Sequence, residues 1–452
     1  MIAFSPNYNC RYSTMPQPQI HTYPNGLRVV YESSKTKTHV TYIRSFCHVG
    51  SIHEPPELKG AAHFIEHMCF KGSRHYSTYS DVISPFSQSG AYFNASTDKQ
   101  YTVYKINCLD SYVESFLKVL ADMIFESEFD KTEYKRELNV VREEVKMEKP
   151  KSFVERLLFR GTTYANEVDE VSYHKSGCLP YDKVLDFYRE YYVPENMVLS
   201  IVSSIPFKTL IRYIDNTIFS NRRSDRNKIV RPIMNAVLPE ISSNCESEYA
   251  FKSGEGDTAR IEIGVRVCNQ FNSDEFYKLN VLRHIVGGSM SSRLFVELRE
   301  KRGLTYHPGA NMILYEPAGV FILYAVSDVE RIIRDGKNPG VIPIMFDILD
   351  DLVKNGVKDV ELKTTKMHIR ESLKMRASVG EERCGYNGVR LMLHNETEIM
   401  SNDQIYDRCY KSIDKADINE LIRKYFAPRK YYFSVSGGKL PNKSVLTRIL
   451  EK

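Results

Sequence analysis

Residues 61 to 72 read AAHFIEHMCFKG, and three of them could do chemistry together: His63, Glu66 and His67. On a helix each residue advances about 100°, so with His63 at zero His67 falls at about 40° and Glu66 at about 300°. The rest of the wheel is apolar or small. Such a helix is packed on most sides, with one arc left for two imidazoles and a carboxylate. Histidines at i and i+4 can share a cation, and a glutamate just before the second can reach a metal-bound water without being a ligand. With 12 histidines in the chain, one such run by accident is on the order of a few per cent. A metal reading therefore needs a third ligand.

The stretch KTEYKRELNVVREEVKMEKP, residues 131 to 150, can supply it. With Tyr134 at zero, Leu138, Val141 and Val145 cluster within about 40°, while Glu137 and Glu144 sit at about 300° and 280°. Val140 and Met147 lie just beyond, so both carboxylates fall inside a broad apolar stripe. Lys135, Arg142 and Lys146 take the opposite face, and Glu143 falls at about 180°. A carboxylate among apolar side chains is costly unless it is paired or metal-bound. On this helix alone, both could equally be rim residues with solvated heads. A zinc site that needs one more acidic ligand tips the balance toward Glu144.

These residues must be positioned by a fold that 452 residues are too many to build around one core. FYREYYVPENMVLSIVS (187–203) matches LIRKYFAPRKYYFSVSG (421–437) at Arg189/Arg423, Tyr191/Tyr425, Pro194/Pro428 and Ser200/Ser434. Each is a helix end, a proline and an alternating strand. The match falls at the end of each half, which predicts a duplicated domain. The charged, Asn/Ser-rich stretch 220–244 reads as a linker between residues 21–219 and 245–452, and residues 1–20 as a polar tail. LRVVYES, YTVYKI, MVLSIVS, ARIEIGVRV, GVFILYAV and YYFSVSG read as strands mixed with helices without strict alternation. The fold class expected is α+β, with two similar domains that each pack a mostly antiparallel sheet against helices.

A net charge of +5 with no basic block argues against nucleic acid, and no apolar run is long enough to span a membrane. Nine widely spaced cysteines without a CxxC read as reduced thiols of an intracellular protein, cytoplasmic or mitochondrial-matrix-like, and the N-terminus lacks a secretory pattern.

His-x-x-Glu-His is the inverzincin signature, and from about residue 20 to 440 the chain resembles the pitrilysin-type peptidases, the family of insulysin and the mitochondrial processing peptidase. PNGLRVVYESS is similar to the family's opening strand, GAAHFIEHMCFKGS to its zinc helix and RELNVVREEV to its third-ligand helix. The resemblance implies one Zn²⁺ per chain on His63, His67 and Glu144, with Glu66 as the catalytic base and Glu137 supporting the ligands from behind. AYFNASTDKQYTVY resembles the edge strand that grips substrate, implicating Asn94 and Ala95. SMSSRLFVELREKRGLTY resembles the segment whose arginine and tyrosine reach substrate, here Arg299 and Tyr306. The implied activity is a metalloendopeptidase acting on unfolded peptides or extended segments. A non-catalytic core-type subunit is the alternative. The set is complete in one chain, so a homodimer is expected rather than a heterodimer with a related subunit. The family's His-Pro-Leu-Gly stretch is missing after the third-ligand helix.

Overall fold

Period-two alternation in LRVVYES sends Val29 and Tyr31 to one face of a strand and Val30 to the other, and all three are buried. Burial on both faces requires a sheet covered twice, and the computed structural model shows how that is done. It describes residues 17–34, 39–146, 152–168, 179–223, 247–333, 339–377 and 379–450. The first sheet runs β1-β2-β6-β3-β5-β4, with β1 at Gln19–Thr22, β2 at Arg28–Ser33, β3 at Val40–Cys47, β4 at Tyr92–Thr97, β5 at Thr102–Leu109 and β6 at Met197–Ser203. The second runs β7-β11-β8-β10-β9, with β7 at Glu248–Lys252, β8 at Thr258–Val267, β9 at Gly309–Leu314, β10 at Gly319–Asp328 and β11 at Tyr432–Ser436. Every pairing is antiparallel except β2 with β6 and β7 with β11. The fold is α+β, and each strand read from the sequence is a strand.

The duplication is visible in the registers. Ser200 pairs with Val30 on one side and Arg44 on the other, and Ser434 pairs with Ala250 and Glu262. β6 and β11 therefore hold the same place in their sheets.

The two faces of each sheet are buried differently. Val29, Tyr31, Leu199 and Ile201 point into the core of the first half. Val30, Phe46 and Val198 point the other way and pack against Leu391 and Met392 of the second half. In β10, Phe321, Leu323 and Ala325 enter the second core, while Val320 and Ile322 meet Val154 and Leu158 of the first half. Each half thus lends a helix, Val154–Leu158 or Gly380–Leu393, to cover the outer face of the other's sheet. This exchange explains why MVLSIVS is apolar without interruption: all seven residues of β6 are buried.

Of the stretch read as a linker, Ser220 and Asn221 end a short helix, and Arg222 Nη1 pairs with Glu126 Oε1 at 2.7 Å. Residues 224–246 lie outside the described residues, as does most of the tail, although β1 begins at Gln19. The six cysteines among the described residues are free thiols. No helix there is long and apolar enough to cross a membrane.

Candidate metal centre

The helix Ala61–Cys69 buries every residue but His67, which is half-buried. Its N-terminal amides are met by a buried carboxylate: Gly60 N donates to Glu54 Oε2 at 2.7 Å and Ala62 N to Glu54 Oε1 at 2.8 Å. An acid at this end also complements the helix dipole. At the other end Phe70 packs on Phe93 of β4, ring centroids 5.2 Å apart. The helix Lys131–Lys146 crosses it, burying Tyr134, Leu138 and Val141. The buried stripe there is narrower than the wheel suggests, since Val140 is exposed. Glu137 is buried to 2%, while the Glu144 side chain stands at the rim with 48% of its surface open. Met147 lies outside the described residues.

Between these helices the polar side chains converge. His63 Nε2 and His67 Nε2 are 3.2 Å apart. Glu144 Oε2 lies 3.4 Å from His67 Nε2 and 4.0 Å from His63 Nε2. Behind them His67 Nδ1 meets Glu137 Oε1 at 2.8 Å, and the other Glu137 oxygen is 2.6 Å from Lys71 Nζ. A hydrogen bond from Nδ1 to a carboxylate fixes the ring and turns the Nε2 lone pair forward. Beside this group Glu66 is buried, with Thr97 Oγ1 donating to its Oε2 at 2.6 Å.

The donor set fits a zinc ion. Ligand bonds of ~2.0–2.1 Å in a tetrahedron put ligand atoms about 3.3 Å apart. Two of the three separations are close to that value and the third is longer. The local field also favours positive charge. Burial by itself lowers the pKa of His67, but the Glu137 hydrogen bond and the charges of Glu66, Glu137 and Glu144 outweigh it and raise it. Burial would raise the pKa of Glu137, yet His67 and Lys71 hold it below its usual value. Glu66 goes the other way: burial raises it, and the Thr97 bond and nearby His67 offset only part of the shift.

Asn94 and Ala95 lie on β4, the outer strand of the first sheet. Asn94 is exposed, and its Oδ1 accepts from Ala95 N at 2.8 Å. In the second half Arg299 and Tyr306 meet: the Arg299 guanidinium lies 4.5 Å from the Tyr306 ring centroid and Nη1 donates to the Tyr306 carbonyl at 3.0 Å. Both line a cavity of about 830 Å³, and the Tyr306 side chain is largely exposed. Sequence reasoning did not find Thr97, Lys71 or Glu54. Thr97 follows Asn94 by three positions on the same strand, and only the pairing of that strand against the zinc-motif helix reveals its use.

This fold and this site define a class. Residues 28–170 match the family described as "Insulinase (Peptidase family M16)" and residues 179–368 the one described as "Peptidase M16 inactive domain", and the chain belongs to these pitrilysin-type peptidases as a half-length, two-domain member. It is 29% identical over 416 residues to YmxG of Bacillus subtilis, an uncharacterized zinc protease, covering 90% of this chain and 95% of that one. An uncharacterized zinc protease of Streptomyces coelicolor is 28% identical over 352 residues, 75% and 73% of the two chains. Among solved structures, a protease from Helicobacter pylori superposes with a TM-score of 0.81 at 19% identity, covering 94% of this chain and 100% of that one. A peptidase M16 inactive domain from Pseudomonas fluorescens gives 0.80 at 16% identity, covering 95% and 99%. These two structures share the fold.

Proposed function

We propose that the chain is a zinc metalloendopeptidase that hydrolyses peptide bonds in unfolded peptides or extended protein segments. The observation that carries this is the convergence of His63, His67 and Glu144 beside a buried Glu66. Zn²⁺, when held by the three ligands, supplies Lewis acidity, lowering the pKa of a water and polarising a scissile carbonyl. Glu66 takes the proton from the attacking water and returns it to the leaving amine, the work of a buried carboxylate set beside the ligands. Thr97 holds that carboxylate at the end of β4. Substrate adds to β4 as a further strand, replacing the contact that Asn94 makes to the Ala95 amide. Arg299 and Tyr306 bind substrate from the second half, with the Tyr306 hydroxyl offered to the developing oxyanion. A homodimer brings one protomer's second half over the other's metal centre. The competing reading, a non-catalytic subunit that keeps the fold for assembly, is disfavoured by an intact ligand set with its base.

The test is Glu66→Gln. The amide cannot take the proton, so hydrolysis of a mixed peptide library should fall ~10²–10⁴-fold or more, while zinc per chain after dialysis stays near one. Activity near wild type would remove Glu66 as the base, and no zinc in the wild-type protein would favour the assembly reading.

A further inference from the structure

The duplication places a second cluster of polar side chains where the first half has its metal centre. The β4–β5 hairpin and the β9–β10 hairpin share one register: Asn94 faces Lys105 as Asn311 faces Ile322, and Thr97 faces Thr102 as Leu314 faces Gly319. The same side-chain detail recurs, since Asn311 Oδ1 accepts from Met312 N at 2.8 Å as Asn94 does from Ala95. The helix Ser273–Gly287 then matches Ala61–Cys69. Gly287 abuts Ala310 as Phe70 abuts Phe93, and the buried residues Ala62, Phe64, Ile65, Met68 and Cys69 find counterparts in the equally buried Leu279, Val281, Leu282, Ile285 and Val286. In this alignment Asn280 stands for His63, Arg283 for Glu66 and His284 for His67. The crossing helix Asp359–Ala377 sets His368 against His284, ring centroids 5.3 Å apart, as Lys131–Lys146 sets Glu137 against His67.

The charge has been reversed. Where the first half has three carboxylates around two imidazoles, this cluster has a guanidinium. Arg283 Nε donates to Asn280 Oδ1 at 3.0 Å and Nη2 to His284 Nε2 at 2.8 Å. Asn280 is itself held by Tyr410, at 2.6 Å. Among the described residues no carboxylate pairs with Arg283, and Nη1 has no protein acceptor. These groups line a cavity of about 370 Å³ that opens to solvent past the exposed His368 and Arg376. Its one lining carboxylate, Glu382, is 3.4 Å from Arg376 at the exposed mouth. The other lining arginines all have carboxylate partners, Arg376 in that exposed pair, Arg383 with Glu32 and Arg390 with Glu396, so Arg283 alone among them faces the cavity without one. A half-buried arginine held by neutral partners and facing a solvent-connected cavity is a preformed receptor for an oxyanion, because the guanidinium fork presents paired donors.

The geometry points to a binding site in the second half, at the position equivalent to the metal centre, for a small phosphate-class oxyanion held by Arg283 and Arg376 with His368 and the Ser372 hydroxyl beside it.

The experiment is a thermal-shift and calorimetric titration of the full-length protein with inorganic phosphate, with the monoester AMP and with citrate, against chloride at matched ionic strength. Phosphate or AMP should raise the melting temperature saturably, and the half-saturating concentration should rise at least tenfold in Arg283→Met and in Arg376→Gln. The second variant changes an exposed residue and guards against misfolding of the first. Phosphate could also reach a metal, so His63→Ala, stripped of zinc by chelation, is run in parallel and should keep the shift. Response to AMP but not phosphate identifies an esterified ligand and still supports the site. The inference is overturned by shifts unchanged in both arginine variants, by a shift lost with zinc, by response to citrate alone, or by no response up to about 10 mM, where even a millimolar site would be mostly filled.

Discussion

Phe46 lays its ring edge against the backbone of Gly388 so closely that a Cβ on that glycine would fall 2.1 Å from Phe46 Cε2. The contact joins the halves, since Phe46 is on β3 and Gly388 on the helix Gly380–Leu393. Its counterpart is reversed in size. Phe46 pairs with Val198 as Gly264 pairs with Tyr432, and a Cβ on Gly264 would fall 2.2 Å from Val154 Cγ1. Large sheet residue on helix glycine became small sheet residue on helix valine, and each helix keeps its close approach.

Gly388→Val should therefore destabilise, by about 1–3 kcal/mol from overpacking. Phe46→Leu should relieve part of this loss in the double variant. Denaturant titration of the two singles and the double reads the coupling. Strictly additive losses would mean that the two residues do not meet.

This interlocking is also what a linear reading misses. The helix Ala61–Cys69 and the stripe of Tyr134, Leu138 and Val141 are legible because periodicity is local, and so are the strands. The repeat around Ser200 and Ser434 is legible because both sequences kept it. Nothing local says that Cys384, Gly388 and Leu391 cover the sheet of the other half, because a helix pattern shows an apolar face without naming what it faces. The wheel also placed Glu137 and Glu144 in one stripe. The structure separates them into a buried carboxylate bound to His67 and Lys71 and a rim carboxylate turned toward both imidazoles. Where along its length the helix Lys131–Lys146 is covered by the helix Ala61–Cys69 decides that difference, and one sequence does not encode it visibly. The second polar cluster escaped for another reason: Asn280, Arg283 and His284 match no motif, and only the shared hairpin register aligns them with His63, Glu66 and His67.

Two neighbouring glutamates separate ligand from bystander. Glu144→Gln should lose zinc and activity together, because Glu144 Oε2 is the oxygen that approaches both imidazoles. Glu143→Gln should leave both near wild type. Glu137→Gln should weaken zinc by ~10–100-fold, the usual effect of a partner behind a ligand. Metal titration of the three variants decides the order, and equal affinity in the Glu143 and Glu144 variants would take Glu144 out of the site.

His53 offers a pH test away from the candidate metal centre. Its ring packs 5.4 Å from those of His48 and Tyr191. Burial first, and the neighbouring His48 second, push its pKa down to about 3. In the unfolded chain it returns to about 6.5. The folded state thus binds fewer protons, and the stability contribution is complete above the unfolded value and lost as pH falls toward the folded one. From about pH 7.5 to about pH 5.5 this histidine alone should cost about 1.4 kcal/mol. Urea melts of wild type and His53→Gln, both with chelator, should show the gap between the two pH values narrowing by roughly that amount in the variant. An unchanged gap would mean that His53 is protonated in the fold.

The proposed homodimer can be tested by dividing the site. His63, Glu66, His67 and Glu144 belong to the first half, and Arg299 and Tyr306, stacked 4.5 Å apart, belong to the second. If one protomer's second half covers the other's metal centre, each active site draws on two chains. Protein carrying Glu66→Gln and protein carrying Arg299→Ala/Tyr306→Phe should each be nearly inactive. A mixed dimer, however, holds one site with both its base and its arginine–tyrosine pair intact. After subunit exchange at equal concentrations, half of the dimers are mixed and each has one working site of two, so activity should recover to about a quarter of wild type by mass action. Sedimentation must show the dimer at the assay concentration, and an active monomer there would end the proposal. A dimer whose mixture stays inactive would place both parts of each site within one chain, where Arg299 and Tyr306 would have to serve the metal centre of their own protomer.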